Sequence, residues 1–204
     1  LGLTPIVESK PERTPATFGS CFRLLKNRFV LVMALSIFFI VGAEVAINTN
    51  IANILMAKFG LTLEKAAVGI SLFFAGEMVA RLSGAILLNW IKPRFFLLLT
   101  SLVALTGIVG ILFSPVYLVG LVFIFITGLG AGNMFPVIFS LSLEKMPDRA
   151  NEISGLLIMA ISGGAVMPPV VGLVSTEISP LASMFVIGFC MVYVLWVSFY
   201  VRKN

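Results

Sequence analysis

Residues 116–143 read VYLVGLVFIFITGLGAGNMFPVIFSLSL. No charged side chain occurs from Val116 to Leu143. A strand is far shorter than this, and a surface helix keeps a polar face. About 20 apolar residues in helical form cross the hydrocarbon core of a bilayer. The stretch therefore predicts a membrane-spanning helix, and the rest of the chain repeats the pattern.

Working outward, five more apolar segments flank it. The six predicted spans are Phe29–Met56, Ala66–Trp90, Phe95–Phe113, Val116–Leu143, Ile153–Val174 and Leu181–Val201. Breakers separate them: Ser114-Pro115 before span four, Lys145 to Arg149 with Pro147 after it, and Ile178-Ser179-Pro180 before span six. Composition agrees. Hydrophobic residues make up 59% and charged residues 11%, with mean hydropathy +1.11. A soluble domain carries about 25% charged residues. The expected organisation is a polar linker over 1–28, a six-helix domain over 29–201 and a short tail over 202–204. The linker carries Pro5, Pro11 and Pro15 and lacks the apolar core of a cleavable signal, so uncleaved spans are expected to direct insertion.

The net charge of +5 is a matter of topology rather than of nucleic-acid binding. Lys10, Arg13, Arg23, Lys26, Arg28, Lys92, Arg94, Lys145, Arg149, Arg202 and Lys203 all fall on one side of the predicted spans, eleven in all. The other side has two, Lys58 and Lys65. Both termini are thus expected in the cytoplasm. There is no histidine, and the two cysteines, Cys21 and Cys190, form no metal-ligand spacing. Neither a metal nor a cofactor is expected.

Three ionisable residues lie well inside spans: Glu44, Glu77 and Arg81. Such residues normally face a cavity or a partner, because a charge at mid-bilayer costs at least about 2.5–3.5 kcal/mol. Glu77 and Arg81 are four apart, acid first, and share one helix face. They can form a self-neutralising pair or a gating pair near the cytoplasmic end. Glu44 has no base within a turn. Asn48 lies about 40° around the helix from it and shares its face, whereas Asn50 and Asn53 lie at about 240° and 180°. Glu44 and Asn48 together suit hydrogen bonding to a polyol; the plainer alternative is a protonated Glu44 bonded to a neighbouring helix.

Span four contains Gly128, Gly130 and Gly132, then Asn133 and Pro136. The glycines weaken the helix and the proline removes a backbone bond. Asn133 beside that weakened backbone is a candidate ligand, with Ser140 on its face, while some of the glycines serve close helix packing. Span five carries Gly163-Gly164 and Pro168-Pro169, which predict a kink or break, either static or a point of rocking. Phe39-Ile40-Val41-Gly42 in span one echoes Phe125-Ile126-Thr127-Gly128 in span four, as an inverted repeat of three helices plus three would require.

Several of these stretches together resemble a known family. Residues 133–141 (NMFPVIFSL) and 161–169 (ISGGAVMPP) are similar to signatures of the fucose/glucose/galactose–proton symporters of the major facilitator superfamily. Val41-Gly42-Ala43-Glu44-Val45 and Arg81-Leu82-Ser83-Gly84 are similar too. The loop after Arg81 departs from the superfamily pattern, with Asn89 where an aspartate is expected. The resemblance implies an all-α membrane protein equivalent to helices seven to twelve of a twelve-helix transporter. It further implies a second six-helix half as partner, a monosaccharide and a proton as cargo, and a bacterial inner membrane as location. It places spans one and four beside the central cavity, and most of the family's coupling carboxylates in the other half.

The expected function is sugar transport by alternating access, with Glu44, Asn48 and Asn133 as sugar ligands and Glu77–Arg81 as a charge pair. Glu44 is assigned a ligand role in preference to a proton-carrying one. A non-transporting scaffold or receptor derived from a transporter is the alternative. An intramembrane serine protease would need histidine, and an aquaporin-type channel would need two Asn-Pro-Ala loops; the sequence has neither.

Overall fold

The computed structural model describes residues 18–203. Its elements are α1 (Phe18–Leu24), α2 (Arg28–Phe59), α3 (Leu63–Leu87), α4 (Pro93–Phe113), α5 (Tyr117–Ala131), α6 (Met134–Lys145), α7 (Ala150–Ala160), α8 (Gly163–Glu177) and α9 (Pro180–Lys203), with a 3-10 turn at Pro147–Arg149. No strand occurs among the described residues. Six units are long and apolar enough to cross a membrane: α2, α3, α4, the pair α5–α6, the pair α7–α8 with its leading turn, and α9. Each matches one predicted span.

Local chemistry sets the helix ends. The Asn27 side-chain oxygen accepts from the Phe29 N–H at 2.9 Å and caps α2. Gly60, at φ 64°, ends the same helix in the left-handed conformation that glycine adopts without strain. At 32 residues α2 is about 48 Å long, more than the hydrocarbon thickness, so it crosses with tilt. Pro93 starts α4 at its first turn, where a missing N–H costs nothing.

The two broken spans have related causes. Pro136 has no N–H to donate to the carbonyl four residues back, Gly132. The helix accordingly stops at Ala131 and restarts at Met134. In span five the break falls at Ile161-Ser162, where the bonds tighten to the three-residue spacing: Ile161 N–H to Ile158 O and Ser162 N–H to Met159 O, each 3.1 Å. Pro168 and Pro169 do not break the chain; α8 runs through both. The expected interruption thus lies ahead of Gly163-Gly164 rather than at the prolines.

Glycines let backbones touch, which in lipid is a main source of helix association. A Cβ on Gly128 of α5 would collide with the Phe73 carbonyl of α3. A Cβ on Gly163 of α8 would collide with the Phe38 carbonyl of α2, and one on Gly42 with Met167 and the Gly163 carbonyl. Span four thus meets span two as span one meets span five. Likewise α4 packs on α5 and α9 on α2, while α4 and α9 pack on each other. Exchanging the first three spans with the last three preserves this pattern, as the 3+3 inverted repeat requires. The Phe-Ile-x-Gly echo marks the equivalent glycines, Gly42 and Gly128.

Large side chains fill the space between helices: Ile37, Ile40, Phe73, Ile124, Ile138 and Ile187 are fully buried. The start of α2 and the end of α9 meet at one end of the bundle, where the Tyr193 hydroxyl donates to the Val32 carbonyl at 3.4 Å. The Arg202 guanidinium lies over Phe95 at that same basic end, 6.0 Å from the ring centre. At the other end Lys58 donates to the Ile111 and Leu112 carbonyls that close α4.

Two expectations about the flanks change. Within the segment read as a linker, residues 18–24 form α1, which packs on α7 and buries Cys21 and Leu24. Residues 1–17, with Pro5, Pro11 and Pro15, lie outside the described residues. The tail is not separate either, since α9 continues through Arg202 and Lys203.

Candidate functional site

A hollow of about 380 Å³, open on one side, is lined by Val41 and Glu44 of α2, Arg81 of α3, Gly132 at the break, and Phe135 and Pro136 of α6. Glu44 stands midway along α2, and Val41, three residues earlier, shares its face. The break in span four supplies the opposite wall.

Arg81 is the hub. Its Nη2 donates to Glu77 Oε2 at 3.2 Å, the expected pair four residues apart on one helix. Its Nε donates to the Gly132 carbonyl at 3.3 Å. That carbonyl is the one Pro136 leaves without a helical donor, so the arginine satisfies a group that the sequence itself frees. The Glu77 side chain is 5% exposed and the Arg81 side chain 60%, so the acid is enclosed while the guanidinium looks into open space. The pair is therefore joined to the Glu44 cavity rather than forming a separate cluster at the basic end. Phe135 adds an apolar face, in tilted contact with Phe139 at 5.9 Å.

The close approach of α3 and α5 makes this reach possible. A Cβ on Gly76 would collide with the Phe125 carbonyl, and one on Gly132 would lie 2.9 Å from the Glu77 carbonyl. Larger residues there would push Gly132 away from Arg81.

Glu44 carries no ion pair or hydrogen bond on its carboxylate among the described residues, and it lines the cavity with Arg81. Asn48 turns back on its own helix: its amide N–H donates to the Glu44 carbonyl at 3.0 Å. Its amide oxygen is enclosed and has no hydrogen-bond partner. It shares the Glu44 face, as its spacing requires, but does not line the cavity. Asn133 is not brought to Glu44. It is buried, its amide donates to the Ala80 carbonyl, and it fills the space over Gly84. A second, smaller hollow of about 150 Å³ takes its other side, between α3, α4 and α5. The reason is phase: Pro136 is four residues on from Gly132 and shares its cavity-facing side, whereas Asn133 is one residue on, about 100° around the helix.

Sequence reasoning missed Val41, Phe135 and the Gly132 carbonyl. The last was readable, since a proline orphans the carbonyl four residues before it.

With this geometry in view, comparison with known proteins is direct. The profile of the Major Facilitator Superfamily matches residues 3–169, and the chain belongs to that superfamily. It is therefore an integral membrane protein. Several relatives within the superfamily are named as sugar transporters. It is 32% identical over 180 residues to a putative glucose/galactose transporter of Helicobacter pylori, covering 85% of this chain and 44% of that one. It is 29% identical over 194 residues to a glucose/galactose transporter of Brucella abortus, covering 93% and 45%. An L-fucose-proton symporter of Haemophilus influenzae matches at 30% over 108 residues, 52% of this chain and 24% of that one. The crystal structure of the transporter FucP in the outward conformation superposes with a TM-score of 0.81 at 22% identity, over 95% of this chain and 47% of that one. The chain spans about half the length of the curated relatives it matches.

Proposed function

We propose that this chain forms the C-terminal half of a proton-coupled monosaccharide transporter that works by alternating access. The carrying observation is the Glu44–Arg81 cavity, in which one carboxylate, one guanidinium and an aromatic face converge beside a broken helix. Sugar hydroxyls donate and accept, so Glu44 and Arg81 are suitable partners, and the Phe135 ring suits the C–H face of a pyranose. In transporters, sites at interrupted helices near the midplane are the rule. The relatives' names support a hexose such as glucose, galactose or fucose as cargo.

In this reading a second six-helix half covers the open side of the cavity, and the two halves rock about it. Both termini and the Lys92 and Lys145 connections face the cytoplasm of a bacterial inner membrane, following the eleven-to-two charge bias. Glu44 and Arg81 contact sugar. Asn48 and Asn133 hold the walls, Asn133 by fixing the break against Ala80 and Gly84.

The test is uptake by the complete transporter in cells lacking their own hexose transport. Labelled glucose, galactose and fucose are offered with and without a protonophore. At least one is expected to accumulate, the protonophore is expected to abolish accumulation, and Arg81→Ala is expected to weaken apparent affinity about five- to 150-fold. Normal expression with no hexose uptake would refute the reading.

A further inference from the structure

Two acids and one base occupy the middle of the bundle, which leaves one negative charge without a counterpart. Glu77 is the matched acid, held by Arg81 at 3.2 Å and nearly closed from solvent. Glu44 is the unmatched one. The helices packed on α2 offer it nothing else. From α3 only Glu77 and Arg81 stand at this level; Glu64 and Lys65 are at that helix's far start. Mid-span α5 and α8 carry no ionisable residue, and α9 has only Cys190 and Tyr193, the latter bonded to Val32. Glu144, Lys145, Glu152, Arg202 and Lys203 lie at the basic end, and Glu177 at the opposite one.

Arg81 also has capacity to spare. A guanidinium carries five N–H donors, and two are used, one on Glu77 and one on the Gly132 carbonyl. The exposed side of the group faces the cavity that Glu44 lines.

We propose that Glu44 is a proton-exchanging group of this half, and that its charge state decides where Arg81 binds. With a proton on the Glu44 carboxyl, Arg81 stays on Glu77 and Gly132 and ties α3 to the break between α5 and α6. When that proton leaves to water, the Glu44 carboxylate and Glu77 compete for one guanidinium. Arg81 then swings toward α2 and gives up the Gly132 carbonyl. Pro136 ensures that no helical N–H replaces it, so the break in span four loosens. One proton thereby shifts the balance between two arrangements of three spans, which is what coupling requires. Sequence reasoning favours a ligand role for Glu44; the geometry adds this second one. The inference rests on the transport reading for its consequence, but not for the proton exchange itself.

Two measurements on the complete transporter test it. The first is infrared difference spectroscopy during a pH titration of the detergent-solubilised protein. A carboxyl C=O band that appears and disappears with pH is expected in wild type, absent in Glu44→Gln and retained in Arg81→Lys. A band unchanged in Glu44→Gln would overturn the proposal. The second is the steady-state hexose accumulation ratio in proteoliposomes under an imposed proton gradient. This ratio reports coupling and not affinity. Glu44→Gln is expected to bring it to unity, with the remaining exchange independent of pH; a wild-type ratio would overturn the proposal. If wild type moves no hexose, the transport reading fails, and the infrared band still decides whether Glu44 exchanges a proton.

Discussion

Replacing Gly128 by alanine adds one methyl group where the backbones of α5 and α3 touch. That methyl would press on the Phe73 carbonyl oxygen, with the Phe73 carbonyl carbon at 3.0 Å and the Glu77 backbone nitrogen at 3.3 Å. All three are backbone atoms, so no side-chain rotation relieves the overlap; α5 must move away from α3. Overpacking of this kind costs about 1–3 kcal/mol. Against it stands the helix-propensity gain of alanine over glycine, about 1 kcal/mol. Gly172 in α8 is the control: a Cβ there meets nothing within 4 Å, so Gly172→Ala should show the gain alone. The same chemical change at the two positions should therefore differ by about 1–3 kcal/mol, with Gly128→Ala the less stable. Equilibrium unfolding in mixed micelles, followed by far-ultraviolet circular dichroism, measures the difference. Equal stabilities, or Gly128→Ala the more stable, would refute the close packing of spans two and four.

Further expectations follow from the same contacts. Glu77→Gln, Arg81→Gln and the double variant should give a coupling energy of about 0.5–3 kcal/mol in a stability cycle, since the groups touch; strict additivity would argue against the pair. Asn133→Ala should lower stability by about 1 kcal/mol through loss of the bond to Ala80, with apparent hexose affinity falling less than in Arg81→Ala; the reverse order would make Asn133 a ligand. Lys145→Cys in intact cells should resist an impermeant maleimide and react only after permeabilisation; labelling from outside would invert the proposed topology.

The spans were legible because lipid imposes a simple rule, and runs such as Phe95–Phe113 obey it without exception. The echo of Gly42 in Gly128 was legible for a related reason: in lipid, close approach is bought with small residues. Other features depend on contacts between distant segments. The α1 helix has seven residues, too few to be stable alone, and forms where Cys21 and Leu24 are buried, in contact with α7. The Arg81–Gly132 bond joins positions 51 residues apart. Asn133 stood beside the break as a ligand would, but its amide is taken by the Ala80 carbonyl, 53 residues away. Pro168 and Pro169 drew attention to span five, yet the break came about two turns earlier, where Gly163 must meet the Phe38 carbonyl.

Transport as proposed requires that sugar enter the cavity that Glu44 and Arg81 line. Val41 lines that cavity without an assigned chemical role. In the complete transporter, with every native cysteine replaced by alanine, Cys21 and Cys190 among them, Val41→Cys offers a single thiol beside the proposed ligands. The measurement is its rate of alkylation by a small maleimide with and without transported hexose. Saturating hexose is predicted to slow the reaction several-fold, while a sugar that is not transported leaves it unchanged. An identical rate with and without hexose, in a variant that still transports, would contradict the central claim.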